Sequence, residues 1–193
     1  MVEKEEIRDQ IVSSARQVFS RFGFKKTTMD EIAQGARKGK SSIYYYFTSK
    51  EDIYRAVIEK EATILRDEVQ KAITQIDDPI EKIKKYVAVR MQTFQATVNF
   101  YEAIKNELLS HLDFINRVRE KFDKEEIQML EEILNEGVKR NQFNIDNTEL
   151  AAIAIVTAMK GLEIPFVKFN TKPQFDERIE HLLGILFYGI VKR

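Results

Sequence analysis

The amino-acid sequence predicts an all-α fold of about nine helices, divided into a small N-terminal domain over residues 1–50 and a larger one over residues 51–193. Apolar residues recur at three- and four-residue spacing along most of the chain, and no sustained alternation of apolar and polar residues indicates a β-strand. The 193 residues include only three prolines and seven glycines, so little interrupts long helices.

The first fifty residues predict three helices. The first has an apolar face and ends at Gly23; the face consists of Ile7, Ile11, Ala15, Val18, Phe19 and Phe22. Thr28 followed by Glu31 is the signature of a capping box, which predicts that a second helix begins there. This helix is short because Gly35 and Gly39 bracket a basic break, and a third helix follows over about 40–47.

The next two helices are also marked by caps. Ser49 with Asp52 predicts the start of a fourth helix, which continues to about Ile76. Pro79 suits the first turn of a fifth helix. An N–H group at that position would have no partner within the helix, so the absence of one in proline costs no hydrogen bond. The apolar stripe of the fifth helix consists of Ile80, Ile83, Val87, Met91, Phe94 and Val98.

Three further helices are expected toward the C-terminus, after shorter segments that reach His111. A long helix extends from about Ile115 to Val138, and Asp146 or Asn147 caps the next one. The stretch Leu150–Met159 is apolar nearly all round, which predicts burial on most sides. Pro165 should kink or end this helix. The last helix presents Phe175, Ile179, Leu182, Leu183, Leu186 and Ile190 on one face.

Composition narrows the classes of function. The absence of cysteine excludes disulfides and thiolate metal sites. The only two histidines, His111 and His181, are far apart, and no phosphate-cradling Gly-rich loop is present, so we expect neither an enzyme nor a cofactor or metal site. No secretory signal is visible, and the longest apolar runs fall short of the roughly 20 residues of a membrane span. A soluble cytoplasmic protein without membrane contact is expected.

The charge is unevenly distributed although the formal net charge is zero. Residues 1–50 hold ten Lys and Arg against six Asp and Glu, and residues 21–50 hold seven against two. A basic surplus confined to one short segment indicates a surface that binds a polyanion such as nucleic acid.

Residues 28–47 have the spacing of a DNA-binding helix-turn-helix. At 100° per residue, Ile43 and Phe47 lie on the inward face of the third helix, and Tyr46 lies at its boundary with its hydroxyl able to reach outward. The residues that face away from the core, and are therefore candidates for base contacts, are Ser41, Ser42, Tyr44 and Tyr45. Thr28 and Lys50, one at each edge of the motif, are candidates for phosphate contacts, and Lys38 and Lys40 are further cations of the DNA-binding surface.

Two sequence blocks resemble the N-terminal domain of the TetR family of regulators. They are Thr27-Thr28-Met-Asp-Glu-Ile-Ala and Ser42-Ile43-Tyr44-Tyr45-Tyr46-Phe47-x-Ser49-Lys50-Glu51, and the resemblance covers residues 7–58. It implies a transcription repressor that binds an operator in double-stranded DNA, with residues 51–193 binding a small effector and forming a homodimer through the last two helices. Arg37 and Lys38 depart from the family, which usually has a glycine and a small apolar residue there. Asp30 replaces a frequent basic residue.

The effector-binding residues are the least determined part of the prediction. Apolar residues that could line a cavity, or equally form ordinary core, are Met91, Phe94, Phe100, Tyr101, Leu108, Phe114, Phe122, Met129, Met159 and Phe166. Polar residues that could orient a head group, or simply form ion pairs, are Arg90, Asn106, His111 and Glu163. The Met and aromatic content favours a hydrophobic or elongated effector, such as an acyl chain or an aromatic drug. A helical module that uses its basic segment to bind another protein remains the alternative function.

Overall fold

The protein is described by a computed structural model that covers residues 2–100, 112–169, 177, 181, 183–185 and 189. Within 2–100 and 112–169 the chain forms seven helices and no strand, which confirms the all-α prediction. The helices are α1 (Val2–Lys26), α2 (Met29–Gly35), α3 (Lys40–Tyr46), α4 (Lys50–Thr74), α5 (Pro79–Phe100), α6 (Leu112–Lys139) and α7 (Thr148–Phe169). The helix predicted over 175–190 lies mostly outside the described residues.

The chain divides into two compact units, each assembled from two stretches of chain. The first comprises Met1–Leu65 and Ala96–Phe122, and the second comprises Arg66–Gln95 and Asp123–Arg193. The helices α1, α2 and α3, here called the head, lie in the first unit.

The head is held together by an apolar core to which every one of its helices contributes. Ile11 and Phe19 of α1, Ile32 of α2 and Ile43 of α3 are fully buried, and Tyr54 of α4 packs with them. Burial of each such side chain contributes about 1.5–3 kcal/mol. Because α2 and α3 have only seven residues each, this shared core rather than helix propensity must stabilise them.

The prediction that Phe22 lies on the inward face of α1 is wrong. Phe22 is 40% exposed, and Phe24 instead packs with the core, its ring 4.7 Å from that of Tyr54. The reason is Gly23, whose φ of 80° and ψ of 167° are not helical. Such a φ is readily adopted only by glycine, and it turns the chain so that the residue after the break faces inward.

Gly35 allows α2 to end close against α1. A Cβ atom at this position would lie 2.5 Å from the Ser14 hydroxyl oxygen and 3.4 Å from a methyl group of Val18. The same hydroxyl donates a hydrogen bond of 3.4 Å to the carbonyl oxygen of Ile32. The absence of a side chain at Gly35 thus fixes how closely these two head helices approach.

Several predicted helix starts are confirmed by their side-chain caps. The hydroxyl of Ser49 accepts the backbone N–H of Asp52 at 3.1 Å, and α4 begins at Lys50. Pro79 is the first residue of α5. Asn147 caps α7, because its side-chain oxygen accepts the backbone N–H of Leu150 at 2.8 Å.

The apolar stretch of α7 is less buried than expected. Leu150 is 62% exposed and Ile153 is 38% exposed, whereas Ala152 and Met159 on the opposite side are buried. The helix also continues through Pro165 to Phe169, so the proline does not end it. Among the described residues, no helix combines the length and apolar character needed to cross a membrane.

Candidate nucleic-acid interface

Thr28 organises the start of α2 through the predicted capping box. Its hydroxyl oxygen accepts the backbone N–H of Glu31 at 3.3 Å, and the Glu31 carboxylate accepts the backbone N–H of Thr28 at 2.7 Å. The neighbouring Thr27 is buried, and its hydroxyl donates to the carbonyl of Gly23 at 2.7 Å. Thr28 is therefore exposed at the N-terminus of α2 while Thr27 ties this connection to the end of α1.

The turn between α2 and α3 keeps left-handed geometry without a glycine. Arg37 has a φ of 53°, and its backbone N–H donates to the carbonyl of Gln34 at 3.1 Å. The backbone N–H of Lys38 closes the turn on the carbonyl of Ala33 at 3.0 Å. A non-glycine residue in this conformation costs on the order of 1 kcal/mol, so the added cation at Arg37 comes with local strain. The Lys38 side chain is half-buried.

The third helix presents one apolar face and one exposed face. Ile43 is fully buried and Phe47, just after the helix, is 4% exposed, which confirms the predicted inward face. Tyr44 and Tyr45 are 47% and 68% exposed. Tyr46 packs partly against the head core, as its boundary position predicts. Ser41 is exposed and Ser42 is half-buried, and both lie near the start of the helix.

Asp30 and Lys40 join the starts of the two short helices. The Lys40 ammonium lies 2.9 Å from a carboxylate oxygen of Asp30, with both side chains more than half exposed. The hydrogen bond that Lys40 donates to this carboxylate, followed by the negative charge of Asp30, raises the pKa of Lys40. The acidic partner of Lys40 is therefore Asp30, and a phosphate at Lys40 would compete with it.

Lys50 is engaged with the backbone rather than directed into solvent. Its ammonium donates to the carbonyl oxygens of Phe24 at 2.8 Å and Thr27 at 2.9 Å, with a longer contact of 3.5 Å to that of Lys25. It also lies 4.4 Å from the centre of the Phe24 ring. These contacts hold together the connection between α1 and α2 that follows the non-helical Gly23.

The first turns of α1 contribute two cations that the sequence analysis does not single out. The Lys4 ammonium lies 4.9 Å from the centre of the Tyr45 ring, and the Arg8 guanidinium lies 5.1 Å from that of Phe47. Their four-residue separation places both on one side of α1. That spacing was visible in the sequence, but only the fold shows that this side of α1 meets α3.

The predicted effector-binding residues fall into different surroundings. Met91, Met159 and Glu163 are buried in the second unit. Phe94 and Met129 are half-buried, and Met129 lines a groove of about 400 Å³ that also contains charged side chains such as Lys82 and Glu136. Phe122 is half-buried and belongs to the first unit, as does Phe114, which packs against the head core.

Several of these predictions concern residues outside the described part of the chain. They are Tyr101, Asn106, Leu108 and His111, together with the side chains of Phe100 and Phe166. Among the described residues, Glu163 and Met91 meet at Arg90: a Glu163 carboxylate oxygen lies 2.9 Å from its guanidinium, and the Met91 sulfur lies 3.9 Å from it.

Comparison with known proteins supports the interpretation of the head as a helix-turn-helix domain. Residues 11–57 match the family of bacterial regulatory proteins, tetR family. This segment contains most of α1, all of α2 and α3, and the beginning of α4. It therefore includes the turn at Arg37 and the exposed face of α3.

Similarity to individual proteins extends over nearly the whole chain. The HTH-type transcriptional regulator QacR of Staphylococcus aureus is 21% identical over 180 residues, which cover 90% of this chain and 91% of QacR. A transcriptional regulator from Cytophaga hutchinsonii is 27% identical with a TM-score of 0.75, covering 93% of this chain and 95% of the other. The FadR regulator of Bacillus subtilis, solved in complex with stearoyl-CoA, has the same fold, with a TM-score of 0.72 at 20% identity and coverage of 94% and 98%. These proteins are transcriptional regulators, not enzymes.

Proposed function

We propose that the chain is a repressor of the TetR family of bacterial regulatory proteins, whose hold on DNA is released by a small hydrophobic effector. The observation that carries this proposal is the division of α3 into two faces. Ile43 anchors the helix in the head core while Tyr44 and Tyr45 remain exposed on a helix short enough to enter the major groove.

The exposed face supplies the proposed base contacts, and the surrounding cations supply phosphate contacts. Ser41, Ser42, Tyr44 and Tyr45 read bases, and the Tyr46 hydroxyl reaches the DNA from the edge of the core. Thr28, Lys38 and Lys40 contact the backbone, with Lys4 added beside Tyr45. Lys50 supports this surface by fixing the connection that places Thr28, and its charge adds to the attraction for phosphate.

We propose that the protein acts as a homodimer on a pseudo-palindromic operator. Two half-sites related by a two-fold axis require two heads related in the same way. The exposed apolar residues Leu150 and Ile153 of α7, together with Ile185, which is 53% exposed, provide the kind of surface that association buries. The cytoplasm, where bacterial operator DNA is found, is its proposed location.

The effector is proposed to be apolar over most of its length and to bind in the domain formed by residues 51–193. Met91 and Met159 are each only 1% exposed, and flexible thioether side chains adapt readily to an elongated ligand. The stearoyl-CoA bound to the structurally similar B. subtilis FadR makes a long acyl chain the first class to examine.

The proposal is tested by selecting an operator from random DNA and measuring affinity across a salt series. Each phosphate contact should steepen the fall of log affinity with log salt by about 0.9. Tyr45→Ala should change the order of preference among selected operators, whereas Lys71→Ala, at an exposed position in the last turn of α4, should change neither preference nor slope. Failure to select any operator, or a salt-independent interaction, would favour the protein-binding alternative.

A further inference from the structure

An arginine lies fully buried among the helices of the second unit. The Arg90 side chain on α5 has no exposed surface, and it meets Glu126 of α6 and Glu163 of α7. The residues around it along these helices are apolar: Val87 precedes it by three positions, and Met159 lies one turn before Glu163. Three helices thus bring one cation and two carboxylates into an apolar interior.

The hydrogen bonds of this cluster leave one arm of the guanidinium unused. Nε of Arg90 donates to Glu126 at 2.7 Å, and Nη1 lies 2.9 Å from a carboxylate oxygen of Glu163. The Tyr86 hydroxyl donates to the same Glu126 oxygen at 2.7 Å. Nη2 is buried and has no hydrogen-bond partner among the described residues.

A buried donor of this kind requires an explanation. A donor on a charged group loses strong hydrogen bonds to water when it is buried. In native protein interiors such a donor almost always forms a hydrogen bond to another group instead. Apolar side chains in place of the whole cluster, Arg90 together with Glu126 and Glu163, would avoid the loss and would suit the surrounding core. A guanidinium arm that no described residue satisfies is therefore a place where a bound ligand can supply an acceptor.

The charges of the cluster determine which acceptor fits. Burial alone would lower the pKa of Arg90, but the nearby Glu126 and Glu163 carboxylates outweigh it and the pKa is raised, so the guanidinium stays charged. Burial, followed by the charge of Glu126, raises the pKa of Tyr86 well above its usual value, and its hydroxyl stays neutral. Among the described residues of the cluster one positive charge faces two negative ones, so a ligand anion would be repelled and a ligand cation would find no acceptor at Nη2.

We infer that Nη2 of Arg90 donates a hydrogen bond to an uncharged carbonyl oxygen at the end of the effector's apolar chain. The inference rests on the proposed function, because it assigns the polar contact of the effector whose apolar part the domain would bury. An acyl thioester or an amide has such an oxygen, whereas a free fatty acid carries a carboxylate.

Two ligands that differ only at the carbonyl test this assignment on the native chain. Stearoyl-CoA has the thioester oxygen, and S-octadecyl-CoA replaces the carbonyl by a methylene group. Titration calorimetry should show stearoyl-CoA binding more tightly by about tenfold or more, because a hydrogen bond from a charged donor is lost with the thioether. Stearate should bind more weakly than stearoyl-CoA, and Glu163→Gln, which removes one negative charge, should narrow that gap.

Two arginine substitutions test whether the preference for the thioester over the thioether depends on Arg90. Arg90→Lys keeps a cation for the two carboxylates but concentrates its donors on one nitrogen, so the preference for the thioester should fall toward unity. Arg140→Lys is the matched control, since Arg140 also pairs with two carboxylates, Asp77 and Glu136, at an exposed position, and it should keep the full preference.

The possible failures are distinguishable. Equal binding of the thioester and the thioether to the native chain would overturn the inference and assign the Nη2 partner to a buried water, while release of the operator by both would leave the proposed function standing. If neither ligand binds while operator binding persists, the inference and the acyl effector class both fail. If Arg90→Lys does not fold, the comparison of the two ligands on the native chain still decides.

Discussion

The head and the second unit bury opposite kinds of side chain. The head core consists of apolar residues such as Phe19, Ile32 and Ile43, and no charged side chain among the described residues of the head is buried. The second unit buries Arg90 and Glu163 in its interior. Stability and recognition are therefore separable in the head, where they use different residues. In the second unit the proposed effector contact would make the buried Arg90 serve both.

Arg90→Met should give the largest effect on stability. It leaves Glu126 and Glu163 buried without this cation, and breaking such a cluster typically reduces the free energy of unfolding by about 3–5 kcal/mol. Urea unfolding measures the change. The control Arg140→Met removes an arginine that also pairs with carboxylates but is 38% exposed, and it should lose far less. Equal losses would show that burial does not set the energetics of the cluster.

Ile43→Ala should have the largest effect within the head. Truncation of a fully buried isoleucine costs about 2–5 kcal/mol, and α3 has little else to hold it. Operator binding and thermal unfolding should both be impaired. Tyr44→Ala, at an exposed position on the same helix, should leave unfolding unchanged while altering operator affinity. Unchanged stability in Ile43→Ala would contradict the assignment of the inward face.

Lys50→Ala distinguishes a structural role from a direct phosphate contact. Loss of its hydrogen bonds leaves the carbonyls of Phe24 and Thr27 without that donor, which should destabilise the head by about 1–3 kcal/mol and weaken binding to all operators alike. Lys26→Ala removes an exposed cation nearby and should leave the melting temperature unchanged. If Lys50→Ala weakened DNA binding without lowering the melting temperature, a phosphate contact would be the main role of this lysine.

Arg37→Gly should relieve the strain of the left-handed turn. Compared with Arg37→Ala, which loses the same charge but keeps a Cβ atom at φ 53°, the glycine variant should be more stable by about 1 kcal/mol. The two variants should share the same reduced salt dependence of DNA binding. A glycine variant no more stable than the alanine variant would argue against strain at this position.

Asp30→Ala should have the smallest effect, and it should strengthen binding. Removal of the carboxylate releases Lys40 for phosphate and removes a negative charge beside the interface. The salt dependence should steepen by about one contact, or 0.9 in slope. Asp9→Ala, which breaks the pair between Asp9 and Lys60, is the matched control and should leave the slope unchanged.

The sequence by itself determined the helices of the head, their caps and the two faces of α3. These features depend on spacing within ten residues or fewer, as the pairs Thr28–Glu31 and Ile43–Phe47 illustrate. Phe22 is the exception, because Phe24, which follows the non-helical Gly23, takes the inward position at the end of α1.

Only the tertiary structure decided which distant groups meet. Lys50 lies more than twenty residues from the carbonyls that it binds, and Arg90 lies more than thirty from Glu126. Helical periodicity placed Arg90 and Glu163 on apolar helices but could not show that the two face each other, nor that one guanidinium arm lacks a partner among the described residues. Local patterns report the environment of a helix face, whereas pairing between buried charges depends on how separate helices pack.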